Sequence, residues 1–510
     1  MLTIFLLIAC IPETNSLSDS ARLRRLSIDL RGYPPTLEEI HQLQNATKGL
    51  NNSERVIQDL TLSMVESSAF PKQMGHFWAK IYQTRQDETL YSAEDLGMEN
   101  PFRFAYAVGD EPIQIVQEVI AENLPWYQVV TADWTMVNED LFQLYPVVLD
   151  EPHSFEEVPW QRAHYLDGRP NAGILSSNGF WWRYETSSNN ASRARANQIS
   201  RIFLCHDYLH QNVQFNTDLD LTASIAQSQA VKTESECLSC HASLDPLASF
   251  LGGVFVPRKS PFEEMRIYHP ERENIWTLQT GIAPSYFGET GSHLGDLGRL
   301  IAQDESFLQC TIEHTWNFLF QREVAPQHFE KIQEFRDAFV EGGWDYTSLI
   351  LAMVNSSEYQ NAQPKILNPE QLAQSIDALT GFEMISDSYS LLYSSQHGFY
   401  EMLGGAQMMD KNLSISMVLI QQQFAQMATD FWFSELGKPL PIDTSTLGEQ
   451  DFQVENLQIL HQVILSVSPS EAELKELLDY ISLLQEHYEP EEIWKSVIRI
   501  LLQDPRFLLY

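Results

Sequence analysis

The chain has 510 residues, too long for one ordinary core, so roughly two to four domains are expected, each able to bury its own apolar interior without disulfide staples. Its 69 acidic residues outnumber 32 basic ones, and the resulting formal charge of −37 is spread along the length, which opposes approach to a phosphate backbone and excludes nucleic acid as a partner. Acidity of this kind serves solubility, with electrostatic steering of a basic partner as the sharper alternative.

In chain order, the first segment is MLTIFLLIACIPETNS, an apolar run from Met1 to Ala9, then Cys10, then polar residues. Leu7-Ile8-Ala9-Cys10 resembles a bacterial lipobox, which predicts lipidation of Cys10, although the usual basic n-region is missing. No later segment reaches the roughly 18 consecutive apolar residues of a spanning helix. The expectation is an exported body tethered to a membrane by its N-terminus, in the periplasm or on the outer membrane.

Helices are predicted over most of the remaining chain, making the fold mostly α and multi-module. Thr36-Leu37-Glu38-Glu39 after two prolines forms a capping box, and IQIVQEVIAENLP, from Ile113 to Pro125, has a 3.6-residue period closed by proline. Strand signals are thin. The polar stretch YETSSNNAS, 184–192, and the proline-interrupted NAQPKILNPEQ, 361–371, suggest boundaries. The expected modules are thus a tether at 1–20, a helical module at 21–190, a cysteine-bearing module at 191–362 and a last helical module at 363–510. QQQFAQMATDFWF and the run from Ser468 to Tyr480 are the best helices of the last module; in that run Ser468 is the expected cap, with Pro469 first and Glu471 completing a capping box. One pattern recurs: RVIQDLTLSMVESSAF, TSLILAMVNSSEY and KSVIRILLQDPRFL each read as an amphipathic helix, a stop, and an aromatic that packs back. Three ordinary helices with similar ends would look the same.

The chemistry-bearing stretch is ECLSCHASLDPLASF, 236–250, in a chain with only five cysteines. In Cys237-Leu-Ser-Cys240-His241 two thiols are spaced to add across the two vinyl groups of haem, and the adjacent histidine is placed to ligate its iron, so one covalent haem c is the expected cofactor. Zinc needs a second ligand pair, for which His206 and His210, spaced to share a helical face, are the nearest candidates. A thioredoxin-like dithiol needs a preceding strand, and none is predicted.

Several further stretches carry a family resemblance: RRLSIDLRGYPPTLEEI (24–40), NLPWYQVVTADWTMVNEDLFQLY (123–145), NAGILSS (171–177), RARANQISRIFLC (193–205), CLSCHASLDPLASF (237–250), GDLGRLIAQDESFLQC (295–310) and the terminal KSVIRILLQDPRFLLY. Together they resemble the planctomycete-type cytochrome c proteins, exported multi-module proteins of planctomycetes, myxobacteria and their relatives. The resemblance implies a largely helical, haem c-binding envelope protein and no particular reaction. Two departures stand out: the family's proline-rich spacer before CxxCH is absent from 211–236, and LASFLGGVFVP replaces its Leu-Gly-Phe stretch after Asp-Pro.

The distal iron ligand is open among Met265, His269, His293 and His314, with Met265 preferred and a five-coordinate iron also possible. Cys205 and Cys310 are the thiols left over; in an oxidising compartment they are expected to pair, closing a loop of about a hundred residues, with two separate buried thiols as the alternative. The Met-rich run 401–417 reads as core filler before soft copper ligation. No phosphate loop, nucleophile elbow or dinucleotide fingerprint is present. These features predict a membrane-tethered c-type cytochrome transferring electrons to or from an envelope redox partner, more a carrier than a catalyst. An envelope binding or scaffold lipoprotein with structural haem, or a haem enzyme subunit, are the competing readings.

Overall fold

The computed structural model describes residues 17–48, 52–85, 91–184, 186–210, 230, 231, 233–257, 260–386, 389–393, 398–403, 405 and 413–510. The expected lipidation site, Cys10, lies outside them.

Ser18 accepts a hydrogen bond from the Ala21 N–H at 3.3 Å and opens helix α1 (Asp19–Arg31); Gly32, at φ 85°, closes it by donating to Ile28 O at 2.9 Å. Every residue from Arg22 to Arg31 is buried, four arginines and Asp29 included. Charges so placed must be matched or the burial is prohibitive. Arg22 pairs with Glu54 at 2.5 Å and Arg31 with Glu39 at 2.8 Å. Arg25 donates to the carbonyls of Ala362 and Gln363 at 3.2 and 3.0 Å, and Arg24 to Ser466 Oγ and Phe507 O at 3.0 and 3.2 Å. Asp29 pairs with Lys365 and accepts from the hydroxyls of Tyr359 and Tyr510, both at 2.8 Å. Burial pushes Lys365 down to about 8, against the pull of Asp29, and pushes Arg24 down to about 10.

α1 also joins two apolar cores. Leu23, Leu26 and Leu30 enter a core that runs to Tyr359 and crosses position 190 without interruption, whereas Ile28 enters a second core built from residues 367–510. Helices α2 (Leu37–Lys48), α3 (Ser53–Val65) and α4 (Ala69–Tyr82) come next. The Thr36–Glu39 capping box is present, with bonds of 2.8 and 3.3 Å. Helix α5 (Pro101–Ala121) begins twelve residues before Ile113, with Pro112 inside it. Pro112 has no N–H to offer the Val108 carbonyl. Gly179 lies against that carbonyl so closely that a Cβ there would sit 1.9 Å from Val108 O.

A three-stranded antiparallel sheet, in spatial order β1 (Thr135–Val137), β3 (Gln161–Tyr165), β2 (Val147–Leu149), packs on α5. The register sets Met136 opposite Arg162 and Val148 opposite His164. Buried Glu111 of α5 accepts from Thr135 Oγ1 at 2.8 Å and from the Tyr165 hydroxyl; desolvation raises its carboxyl above the ordinary range despite those bonds.

Helices α6 (Arg193–Leu204), α7 (Ser235–Ser249), α8 (Leu294–Ala302) and α9 (Glu305–Phe320) build the cysteine-bearing part. Helices of the second core include Pro369–Thr380, Ile415–Trp432, Gln450–Leu465, Glu471–Leu484 and Pro490–Leu502. The described residues are 62% helical with few strands, a mostly-α multi-helix fold. Among the described residues no helix is long and apolar enough to cross a membrane.

The recurrent pattern is one structural unit in its second and third copies. Helices Tyr346–Val354 and Pro490–Leu502 each stop and restart as a four-residue helix capped by Ser356 or Asp504, burying Tyr359 or Phe507. Both restarts bind α1, through Tyr359 to Asp29 and through Phe507 O to Arg24. In the first copy α3 leads into α4, burying Phe70, without a side-chain cap. One expectation is corrected: the capping box of Glu471–Leu484 is Ser470 with Glu473, not Ser468 with Glu471. Both registers fit the sequence, but only Glu473 also meets Arg506, at 2.6 Å.

Candidate functional site

α7 carries Cys237, Cys240 and His241 within its first two turns. Helical spacing of i, i+3 and i+4 sets the two sulfurs and the ring on one side of α7. The same side continues into the core and anchors the helix: Leu244, Leu247 and Ala248 are core residues and Cys240 packs against that core, while Ser243 Oγ meets the Tyr208 hydroxyl at 2.9 Å and Ser249 Oγ donates to Ile282 O at 2.9 Å. Cys237 and Cys240 are partly exposed and stand outside any disulfide. Burial, then the negative charges of Glu234 and Glu236, push the Cys237 thiol above its ordinary value. That is the reverse of a redox CxxC, whose attacking thiol is acidified.

His241 is oriented from behind. Its Nδ1 donates to Asp245 Oδ1 at 2.7 Å, one turn further along α7. Asp245 is itself gripped by both arms of Arg193: Nε to Oδ1 at 2.6 Å and Nη2 to Oδ2 at 2.7 Å. The Asp245 side chain is 4% exposed. Burial alone would raise its pKa, yet the bonds from Arg193 and His241 outweigh this and hold the carboxyl below its ordinary value. Arg193 is placed by the turn before it. Ala191 and Ser192 are buried in left-handed conformation, at φ 50° and 62°, and Asn190 Oδ1 accepts the Ala194 N–H at 2.9 Å. Residues 186–192 thus form the folded N-terminal cap of α6.

At its other end α6 stops on Cys205, left-handed at φ 52°, whose sulfur is bonded to Cys310 of α9 at 2.12 Å with Cα atoms 5.2 Å apart. His314 lies beside this disulfide, its Nε2 3.3 Å from Cys310 Sγ and 3.0 Å from Ile202 O. Among the described residues, Cys205, Cys310 and His314 are the one His/Cys/carboxylate group gathered within metal-ligand reach, and both sulfurs are committed to the disulfide.

The zinc pairing does not assemble. α6 ends before His206, so His206 and His210 share no helix; His206 packs edge-on against Tyr208 and exposed His210 bonds to Asp207 at 2.9 Å. Of the distal candidates, Met265 lines a cavity of about 20 Å³ with Arg169, Asn178, Trp181, Arg195 and Tyr268, room for about one water. No residue of the CxxCH lines that cavity. His269 has both nitrogens engaged, with Glu271 at 3.0 Å and Glu264 O at 2.9 Å. His293 caps α8 by accepting the Gly295 N–H at 3.1 Å. In the Met-rich run Met417 is buried and Met402 exposed, while 404 and 406–412 lie outside the described residues.

The donor set fits c-type haem: two reduced thiols one turn apart and an imidazole whose Nδ1 is engaged, so that Nε2 keeps its lone pair for iron. Sequence reasoning singled out these three residues and passed over Asp245 and Arg193. Asp245 was within reach as a carboxylate four residues beyond a histidine, whereas nothing in the sequence pairs Arg193 with it.

Residues 17–147 match the family model PSD4, protein of unknown function (DUF1592), a domain found in planctomycete cytochrome c-like proteins. The matched segment holds α1–α5 and ends before the CxxCH. No curated protein and no solved structure matches the chain.

Proposed function

We propose that this chain is an exported c-type cytochrome of the cell envelope, tethered through Cys10 and exchanging electrons with a partner protein. Cys237 and Cys240 would hold a haem through thioether bonds and His241 Nε2 would ligate its iron; the group would supply a one-electron ferric/ferrous couple. The observation that carries this reading is the His241–Asp245–Arg193 chain behind a partly exposed CxxCH, which spends Nδ1 and leaves Nε2 to ligate. α6 and the Cys205–Cys310 bond hold that chain to the first core, so the His241 ring is set by rigid elements. The charge of −37 favours a basic partner surface.

The test is production of the full chain in a host with haem c maturation machinery, followed by haem staining of denaturing gels and a pyridine haemochrome spectrum. One covalent haem per chain is expected, lost when Cys237 and Cys240 are both replaced by Ser. A colourless wild type under those conditions overturns the cytochrome reading.

A further inference from the structure

Resting on the haem reading above, we propose that Asp245, gripped by Arg193, is a positioning residue that fixes His241 as its Nδ1–H tautomer and strengthens Nε2 as an electron donor, biasing the site toward ferric iron. The geometry is specific. A single oxygen, Oδ1, accepts both the His241 Nδ1–H at 2.7 Å and the Arg193 Nε–H at 2.6 Å, while Oδ2 takes Arg193 Nη2 at 2.7 Å. With both oxygens occupied the carboxylate cannot rotate away from the imidazole. With its side chain 4% exposed, water does not compete for it.

An anionic acceptor pulls harder on the Nδ1–H than a neutral carbonyl does, because a hydrogen bond to an ionised group is shorter and roughly twice as strong. That pull is transmitted through the ring and makes the opposite nitrogen a better donor. A better donor stabilises the more highly charged metal state, so the reduction potential falls. Arg193 supplies the orientation: it comes from the first position of α6, which the Cys205–Cys310 bond ties to α9.

The measurement is a redox titration of the haem absorbance in matured wild type, Asp245→Asn and Asp245→Glu. Asn keeps the shape and removes the charge; Glu keeps the charge on a longer arm. At equal haem content, Asp245→Asn is expected to raise the ferrous/ferric ratio at a fixed potential about tenfold, equivalent to about 59 mV for one electron. Asp245→Glu is expected to lie nearer to wild type. A change below about twofold in Asp245→Asn, or a Glu variant no closer to wild type than Asn, overturns the proposal.

A second readout needs no haem. In unloaded full-length wild type, two-bond proton–nitrogen NMR correlations should show His241 protonated on Nδ1; protonation on Nε2 overturns the positioning role. If the wild type takes up no haem, the cytochrome reading falls while the tautomer still decides whether Asp245 positions the ring. If Asp245→Asn does not fold, the tautomer and the Glu variant decide.

Discussion

Replacing Asp29 with Ala tests whether α1 is held by its buried charges. The carboxylate is fully buried and pairs with Lys365, whose side chain is 1% exposed, and two tyrosine hydroxyls donate to it at 2.8 Å. Removing it strands a buried ammonium, which costs about 3–5 kcal/mol, and leaves two hydroxyls without their acceptor at about 1–3 kcal/mol each. These terms share one site and do not add, so a loss of about 5 kcal/mol is expected, comparable with the whole stability of many domains. Adding Lys365→Met to an Asp29→Leu background removes the stranded charge and should restore about 2 kcal/mol or more. Equilibrium urea unfolding at pH 7, followed by tryptophan fluorescence and far-UV circular dichroism, reads both. A loss below about 1 kcal/mol for Asp29→Ala, the worth of an exposed pair, or no recovery in the double variant, would refute the reasoning.

Gly179→Ala puts a methyl group 1.9 Å from the backbone oxygen of Val108 and should destabilise by about 3 kcal/mol or more in the same assay. Gly97→Asn, at φ 64° with nothing within 4 Å of the added Cβ, should stay within about 1 kcal/mol of wild type; equal losses at both positions would refute the close-approach account. Burial pushes His314 down to about 4, against the bond to Ile202 O, so the folded ring stays neutral while the unfolded ring titrates near about 6.5. Between those values the unfolded chain binds more protons, and stability should therefore fall as pH drops from 6.5 to 4. Part of the ring meets solvent, so the share of this residue is about 2 kcal/mol. His314→Gln should flatten the stability–pH slope in that window, and an unchanged slope would remove His314 from the account.

Much of the helical framework was legible because local signals agree with it, as in the Thr36–Glu39 box and the period of Ile113–Pro125. The first half of α5 was hidden by Pro112, a residue that normally ends a helix; the carbonyl it leaves without an amide faces Gly179, where the missing Cβ makes room for it. β1 and β2 are three residues long, too short for an alternating pattern to emerge. α1 misleads most: its arginines look like a solvated face, yet their partners include residues 319, 362, 363, 464 and 507, which no local window contains. The site divides along the same line. Cys237, Cys240 and His241 are adjacent in sequence and were readable, whereas Arg193 reaches Asp245 across 52 positions through tertiary packing alone.

The burial of α1 has a consequence for the order in which the protein folds. Its Asp29 meets Tyr510 across 481 positions, and its Arg24 meets Phe507 across 483. Contacts of such separation form only after the loop between them has closed, and the entropy of that closure makes them slow. Until they form, α1 is a 13-residue segment dense in charge, too short to hold helical shape alone and costly to bury. The bonds of α1 to residues 507 and 510 are therefore among the last to form. Because a chain is made from its N-terminus, α1 is complete long before its partners at 464, 507 and 510 exist, so the two cores cannot close around it until the last residues have been added.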